Sequence, residues 1–279
     1  NKSEIKYITD KKKELEEFIK LEAMKVEFLS NMSHEFRTPI NIILAITQLL
    51  NMHNKSLSDE KYKEYLNVLK QNSYRLLRLI NNIMDITKVN SDSDQLNLIN
   101  CNIVSVLEEI VMSTVLYASE KKRNIIFDTD NEEIILACDE DKIERIMLNL
   151  ISNAIKFSDC DTDIEVKINT NLDLNRVYIS IKNYGSNIEF KDREKIFERF
   201  YRVDNSLNRK NEGCGIGLFL CRKFIEMHGG EIFLDNIDNG TQFSFYLPIN
   251  ITEEKINNPI IQKDSLIERC NIEFSDIYT

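Results

Sequence analysis

A histidine, a carboxylate and a hydroxyl stand together in His34-Glu35-Phe36-Arg37-Thr38-Pro39, inside a segment with a helical pattern. Residues at i and i+4 share a helix face, so Thr38 is expected one turn beyond His34. An imidazole has an ordinary pKa of about 6.5, so the neutral, nucleophilic ring is available near pH 7. Pro39 has no N–H to give the carbonyl of Glu35, so the helix is expected to bend or loosen there. A loosened turn beside the ring would admit a bulky partner.

Asn149, Asn153 and Lys156 form a second group, at i, i+4 and i+7 of a helix expected over 139–157. Asparagine is a weak helix former, so two on one face beside a lysine are costly for a plain solvated surface. An amide oxygen can hold Mg²⁺ directly or through water, and a lysine can meet phosphate. The third group is Gly213-Cys214-Gly215-Ile216-Gly217-Leu218, which opens a helix. Backbone N–H groups at the positive end of a helix suit an anion such as a triphosphate. A dinucleotide site would need a strand directly before the glycines. Asp204 to Glu212 is polar and loop-like instead, so the expectation is a mobile lid ending at a phosphate-facing helix.

All seven glycines lie between Gly185 and Gly240, and residues 1–184 hold a single proline, Pro39. One part of the chain is therefore nearly unbroken regular structure, and the sharp turns gather in the other. Helix is expected over 3–52, with an interruption at Pro39. Its seam of Ile8, Leu15, Ile19, Val26 and Leu29, with polar Lys12 and Glu22, suits an imperfect parallel coiled coil. Ser58 is a candidate N-cap for a second helix reaching Val89, with Tyr62, Tyr65, Leu66, Leu69, Leu76, Leu79, Ile80, Ile83 and Ile86 as its apolar face. A helical hairpin cannot bury its faces alone, so two copies are expected to form a four-helix bundle. Beyond a polar linker at 90–95, helices at 102–121, 139–157 and 217–228 mix with strands at 125–127, 134–137, 164–168, 177–181, 231–234 and 241–247. That order reads as an α+β sandwich with helices on one sheet face. The buried stripe of the middle helix is expected to be Ile143, Ile146, Leu150, Ala154 and Phe157. Leu266 to Arg269 reads as a helical turn without assigned function.

The length of 279 residues gives room for two cores. The net charge of −10 argues against nucleic acid as a partner, which calls for a basic face. No run of about eighteen apolar residues marks a membrane span. The chain starts on Asn1 in a charged helical pattern, which is read as a piece of a longer protein. Six scattered cysteines form no CxxC pair, and buried reduced thiols are the expectation. His53 is expected in the hairpin loop, and His228 at a helix end where a partly positive ring would suit the dipole.

Taken together, the motifs resemble the catalytic core of sensor histidine kinases of two-component systems. Ser33 to Pro39 is similar to the phosphoacceptor motif of that family, Asn149 to Ala154 to its asparagine motif, and Phe197 to Phe200 and Gly213 to Leu218 to its phenylalanine and glycine motifs. Gly240-Thr241 opens a final strand as in the family, and the motifs occur in family order. The resemblance implies a signalling coiled coil over 1–27, a dimerisation and phosphotransfer domain over 28–90, and an ATP-binding domain of the gyrase, chaperone and histidine kinase type over 96–250. It leaves a tail over 251–279.

The resemblance also implies roles. His34 would take the γ-phosphoryl group of ATP, Glu35 would sharpen its ring, and Thr38 would orient water for dephosphorylating a partner. Asn149, Asn153 and Lys156 would hold Mg²⁺ and phosphates, with Asn153 on the metal. Asn183, Gly185, Gly213, Gly215, Gly217 and Leu218 would complete the nucleotide site. Tyr201 and Arg202 follow the phenylalanine motif and are read either as phosphate contacts or as ordinary surface residues. Implied partners are a second copy, an upstream sensor region and a response regulator receiver domain, with the longer protein attached to a membrane from the cytoplasmic side. Related ATPases have a glutamate at the place of Asn149, and an amide cannot act as base toward water. That favours keeping ATP for His34 over hydrolysing it. The adenine motif departs from its usual Asp-x-Gly-x-Gly, reading Asn183-Tyr184-Gly185-Ser186-Asn187. Replacing the carboxylate by an amide implies weaker nucleotide binding. It also supports an alternative reading as a degenerate, non-catalytic module that binds a response regulator.

Overall fold

In the computed structural model, residues 2–52, 57–89, 95–203, 215–235, 237–253 and 263–277 are described. His53, Cys214, Gly213 and the expected lid over 204–212 lie outside them. Helix α1 spans Lys2–Met52 and remains helical on both sides of Pro39, which is itself buried. Helix α2 spans Asp59–Val89. Ser58 caps α2 as its sequence suggests: Lys61 N–H donates to Ser58 Oγ at 3.4 Å, and Asp59 and Glu60 face the positive helix end. The two helices pack as a hairpin. Leu79 and Ile86 of α2 are buried, whereas Tyr62, Leu66 and Ile80 of the expected apolar face are exposed. Leu15, Ile19, Val26 and Leu29 of the seam are exposed as well.

The second part is a sandwich of helices on a sheet. Strand β1 (Ile99–Asn102) runs into α3 (Ile103–Glu120), capped where Val104 N–H donates to the Asn102 side chain. Then come β2 (Arg123–Thr129), β3 (Ile135–Cys138), α4 (Glu140–Phe157), β4 (Thr162–Asn171) and β5 (Arg176–Tyr184). After the glycine region follow α5 (Gly217–Met227), β6 (Glu231–Asp235) and β7 (Gly240–Pro248). The main sheet has the order β2-β4-β5-β7-β6, with β2 and β4 parallel and the other pairs antiparallel. Alternation explains its two faces. Val177, Ile179 and Ile181 of β5 and Phe243, Phe245 and Leu247 of β7 are buried under α3, α4 and α5. Tyr178, Lys182 and Tyr246 occupy the other face. Phe245 is fully buried at the centre of this core, and Phe245→Ala is expected to cost about 3–5 kcal/mol.

Strand β1, unforeseen in the sequence, pairs antiparallel with β3. Its residues Ile-Asn-Cys-Asn show too few apolar positions for an alternation to be read. Phe157, placed in the buried stripe of α4 by its spacing, is exposed because the helix ends there and the chain turns away at Ser158. The thiols of Cys101, Cys138, Cys221 and Cys270 are buried and free, but Cys160 is exposed in the turn before β4. The tail contains a real helix, α6 (Lys263–Glu273), longer than the single turn read from sequence. Leu266 and Cys270 of α6 are buried, as are Phe274 and Ile277 in the turns after it, and the helix rests on α2, α3 and α4.

Candidate active site

His34 and Thr38 lie exposed on α1, and Glu35 is half-buried beside them. Thr38 Oγ1 donates to the carbonyl of His34 at 3.3 Å, a local bond that holds the hydroxyl one turn from the histidine. Because Pro39 donates nothing to the Glu35 carbonyl, this side-chain bond reinforces a turn weakened by proline. Six residues before His34, Phe28 stacks on Phe200 with ring centroids 4.1 Å apart. The hairpin is thereby tied to the last residue of the Phe197 to Phe200 segment.

Helix α4 starts at the Asp139 cap, where Lys142 N–H donates to the carboxylate at 3.2 Å. Its apolar stripe faces the sheet, so the polar stripe faces outward, and Asn149, Asn153 and Lys156 share one side. Asn153 Nδ2 donates to Asn149 Oδ1 at 3.3 Å, which leaves Asn153 Oδ1 as the oxygen that a cation would take. Asn149 meets Gly217, the first residue of α5: a Cβ on that glycine would sit 2.2 Å from Asn149 Nδ2. The α4 amides and the positive start of α5 therefore adjoin, and no side chain caps that start. Such a junction is suited to an anion. Leu218 is half-buried in the first turn of α5. Gly215 has φ +65°, and a Cβ there would lie 2.7 Å from the Tyr201 carbonyl. Its carbonyl accepts from Phe200 N–H at 2.9 Å. Phe200 itself has φ +69°, strain that a bulky residue bears only where its surroundings enforce it.

Asn183, one residue before the end of β5, is 2% exposed, and its Nδ2 finds no hydrogen-bond partner. A buried orphan amide is the kind of group that a ligand satisfies. Gly185, two residues on, bridges to Ser158, and a Cβ there would collide with the Phe157 carbonyl at 2.2 Å. The orphan Nδ2 is a donor that a ring nitrogen of a purine would satisfy, so Asn183 is compatible with a purine nucleotide beside β5. The Tyr201 hydroxyl donates to Asp192 at 2.7 Å. His228 is not a positive ring on a dipole. Its Nε2 accepts the Asp139 N–H at 3.0 Å and its Nδ1 lies 2.6 Å from the Phe224 carbonyl, so the ring is the neutral Nδ1–H form. Burial holds its pKa below the usual 6.5.

Sequence reasoning missed the charges around this surface. Arg145 lies one turn before Asn149 on the same face, and that spacing could have found it. Its guanidinium meets Asp85 at 2.8 Å, Asn82 at 3.0 Å and Glu273 at 3.3 Å. Lys156 is paired with Asp276 at 2.7 Å. Burial first, then the neighbouring Arg78, pushes the Lys156 pKa down. Burial also opposes ionisation of Asp276, but Arg78 and Lys156 outweigh it and hold that carboxyl below the usual range.

Two family models match the chain. One, described as "His Kinase A (phospho-acceptor) domain", matches residues 24–92, and the other, "Histidine kinase-, DNA gyrase B-, and HSP90-like ATPase", matches 138–251. The sensor histidine kinase WalK of Bacillus subtilis (strain 168) is 31% identical over 239 residues, 84% of this chain but 38% of its own length. The chain thus spans well under half of that relative. Among solved structures, full-length ShkA in complex with AMPPNP superposes with a TM-score of 0.60 at 25% identity, covering 81% of this chain and 46% of that one. Histidine kinase ThkA in complex with the response regulator protein TrrA gives 0.59 at 27% identity, covering 80% and 61%.

Proposed function

Because the chain belongs to the sensor histidine kinases and carries their catalytic core, we propose that it phosphorylates His34 from ATP and passes the phosphoryl group to an aspartate of a response regulator. The observation that carries this reading is the junction of the Asn149 amide with Gly217 at the start of α5, in a chain whose helical hairpin exposes His34.

The chemistry follows from the groups present. Lys156 and the N–H groups at the start of α5 would neutralise and orient the phosphates, and Asn183 would meet adenine. A divalent cation such as Mg²⁺ held by Asn153 would draw charge from the transferring group. A nitrogen of the neutral His34 ring bonds to the γ-phosphorus as the bond from that phosphorus to the β–γ bridging oxygen breaks, and ADP leaves. Glu35 holds the other ring nitrogen and receives its proton. The receiver aspartate then takes the phosphoryl group and restores the histidine. In a separate phosphatase reaction, Thr38 would orient a water that attacks the phosphoryl group on the receiver aspartate, releasing inorganic phosphate and the free carboxylate. Positioning and charge neutralisation supply most of the rate in such a transfer.

The domain limits of 28–90 and 96–250 are part of this proposal. So are a homodimer formed through the exposed apolar faces of α1 and α2, an upstream sensor region, and membrane attachment of a longer protein by analogy with the family. Among the described residues no helix is long and apolar enough to cross a membrane.

The test is incubation of the purified chain with γ-labelled ATP and Mg²⁺. Acid-labile, base-stable label is expected on the wild type and absent from His34→Ala. Bound ATP without label on a folded dimer would return the reading to a non-catalytic module.

A further inference from the structure

Part of the surface just described as a nucleotide site, at Lys156 and beside Asn149 and Gly217, is held by the chain's own C-terminal segment. Asp276 accepts from Lys156 Nζ at 2.7 Å and pairs with Arg78 of α2. Glu273 meets Arg78 at 2.9 Å and Arg145 at 3.3 Å. The backbone carbonyl of Ser275 accepts from Gln71 and Arg75 of α2, each at 3.2 Å. Between them Phe274 is fully buried and stacks on Tyr117 of α3, with centroids 4.7 Å apart. The segment is therefore anchored by an apolar plug, and its two carboxylates point at the cations of α2 and α4. The space enclosed by Asn82, Arg145, Asn149, Gly217, Leu220 and Glu273 amounts to about 10 Å³, room for a single water and not for a phosphate chain.

We propose that residues 263–277 are a built-in competitor of the nucleotide, with Asp276 and Glu273 holding the cations that the phosphates require. The inference rests on reading the α4–α5 surface as a nucleotide site. Carboxylates suit the part, since they present the same anionic oxygens to lysine and arginine as phosphate does. The clamp also ties the hairpin to the ATP-binding domain, because Arg78 and Lys156 share Asp276. Opening it frees both the phosphate site and the movement that would carry a nucleotide toward His34. A ligand that binds only the open state has its apparent affinity reduced by the fraction of chains that are open.

The test uses the full chain. Affinity for AMPPNP with Mg²⁺ is measured by calorimetry for the wild type, for the paired change Asp276→Asn with Glu273→Gln, and for Phe274→Ala, which removes the plug and leaves the carboxylates intact. Both variants are expected to bind about tenfold or more tightly. In the wild type, amide hydrogen exchange over 263–277 is expected to rise at saturating nucleotide, a readout that needs no variant. Nucleotide binding that is unchanged or weaker in both variants, or exchange of the tail unmoved at saturation, would overturn the competitor and leave the nucleotide site standing. No binding by the wild type or either variant would overturn the site and the competitor with it.

Discussion

At Asn183, an amide stands where the family pattern has a carboxylate, and the hydrogen bond from a purine amino group loses its charge assistance. That difference is worth about 1 kcal/mol, so Asn183→Asp is expected to tighten ATP binding roughly fivefold. Calorimetric titration measures it, and equal or weaker binding by the variant would refute the assignment. His228 carries a prediction of a different kind. Burial lowers its pKa in the folded chain, while the unfolded chain titrates near 6.5. The unfolded state therefore binds the proton first. The stability due to the neutral ring is complete above about pH 6.5 and is lost as pH falls through the lower folded value. Urea unfolding between pH 7.5 and 5 should show a steeper loss for wild type than for His228→Gln, and parallel curves would contradict the neutral ring. The spacing of His34 and Thr38, and of Asn149, Asn153 and Lys156, was legible because helix periodicity alone places such residues. The partners of Lys156 and Arg145 were not. Asp276 lies 120 residues from Lys156 in the chain, and no local pattern announces a contact closed by the fold.

Helix α5 shows how an element tolerates, or refuses, a methyl group. Gly217→Ala would place its Cβ against the Asn149 amide, a side chain able to swing aside. The fold should survive, with the greater helix tendency of alanine contributing up to about 1 kcal/mol. Nucleotide affinity should fall about tenfold or more because the amide leaves its position. Thermal melting together with nucleotide titration separates the two effects, and unaltered affinity would show that the α4–α5 junction is not the phosphate site. At this scale the sequence was informative wherever an element buries one face. The helices α3 to α5 and the strands β4, β5 and β7 follow their apolar spacing, whereas α2 buries Leu79 and Ile86 and leaves Tyr62, Leu66 and Ile80 exposed. Strand β1 has only four residues, and α6 buries its stripe against three distant helices. Neither offers the repeated local signal that a periodicity reading needs. The neutral ring of His228 escaped for a similar reason: its acceptor role depends on Asp139, brought near by packing of α4 against α5.

The molecule as a whole leaves apolar side chains uncovered along its hairpin. Ile40 and Leu44 of α1 and Leu66, Ile80 and Met84 of α2 are exposed in a single copy. A second hairpin would bury them in a four-helix bundle, since one hairpin cannot cover its own faces. Sedimentation equilibrium should find a dimer for the wild type and a folded monomer for Leu44→Glu with Ile80→Glu, and a monomeric wild type would dismiss the bundle. The phenylalanine stack between Phe28 and Phe200 and the tail clamp at Asp276 both fasten the hairpin to the ATP-binding domain, so transfer requires these contacts to rearrange. The claim on which the account depends is that the terminal phosphate of a bound nucleotide reaches the imidazole of His34. Mass spectrometry of the chain after incubation with Mg²⁺ and ATP, with digestion kept at neutral to basic pH, locates the phosphoryl group directly. The phosphoryl group is expected on the ring of His34 and at no other side chain, whereas full nucleotide occupancy with His34 unmodified, or with the group on Ser33 or Thr38, would contradict that claim.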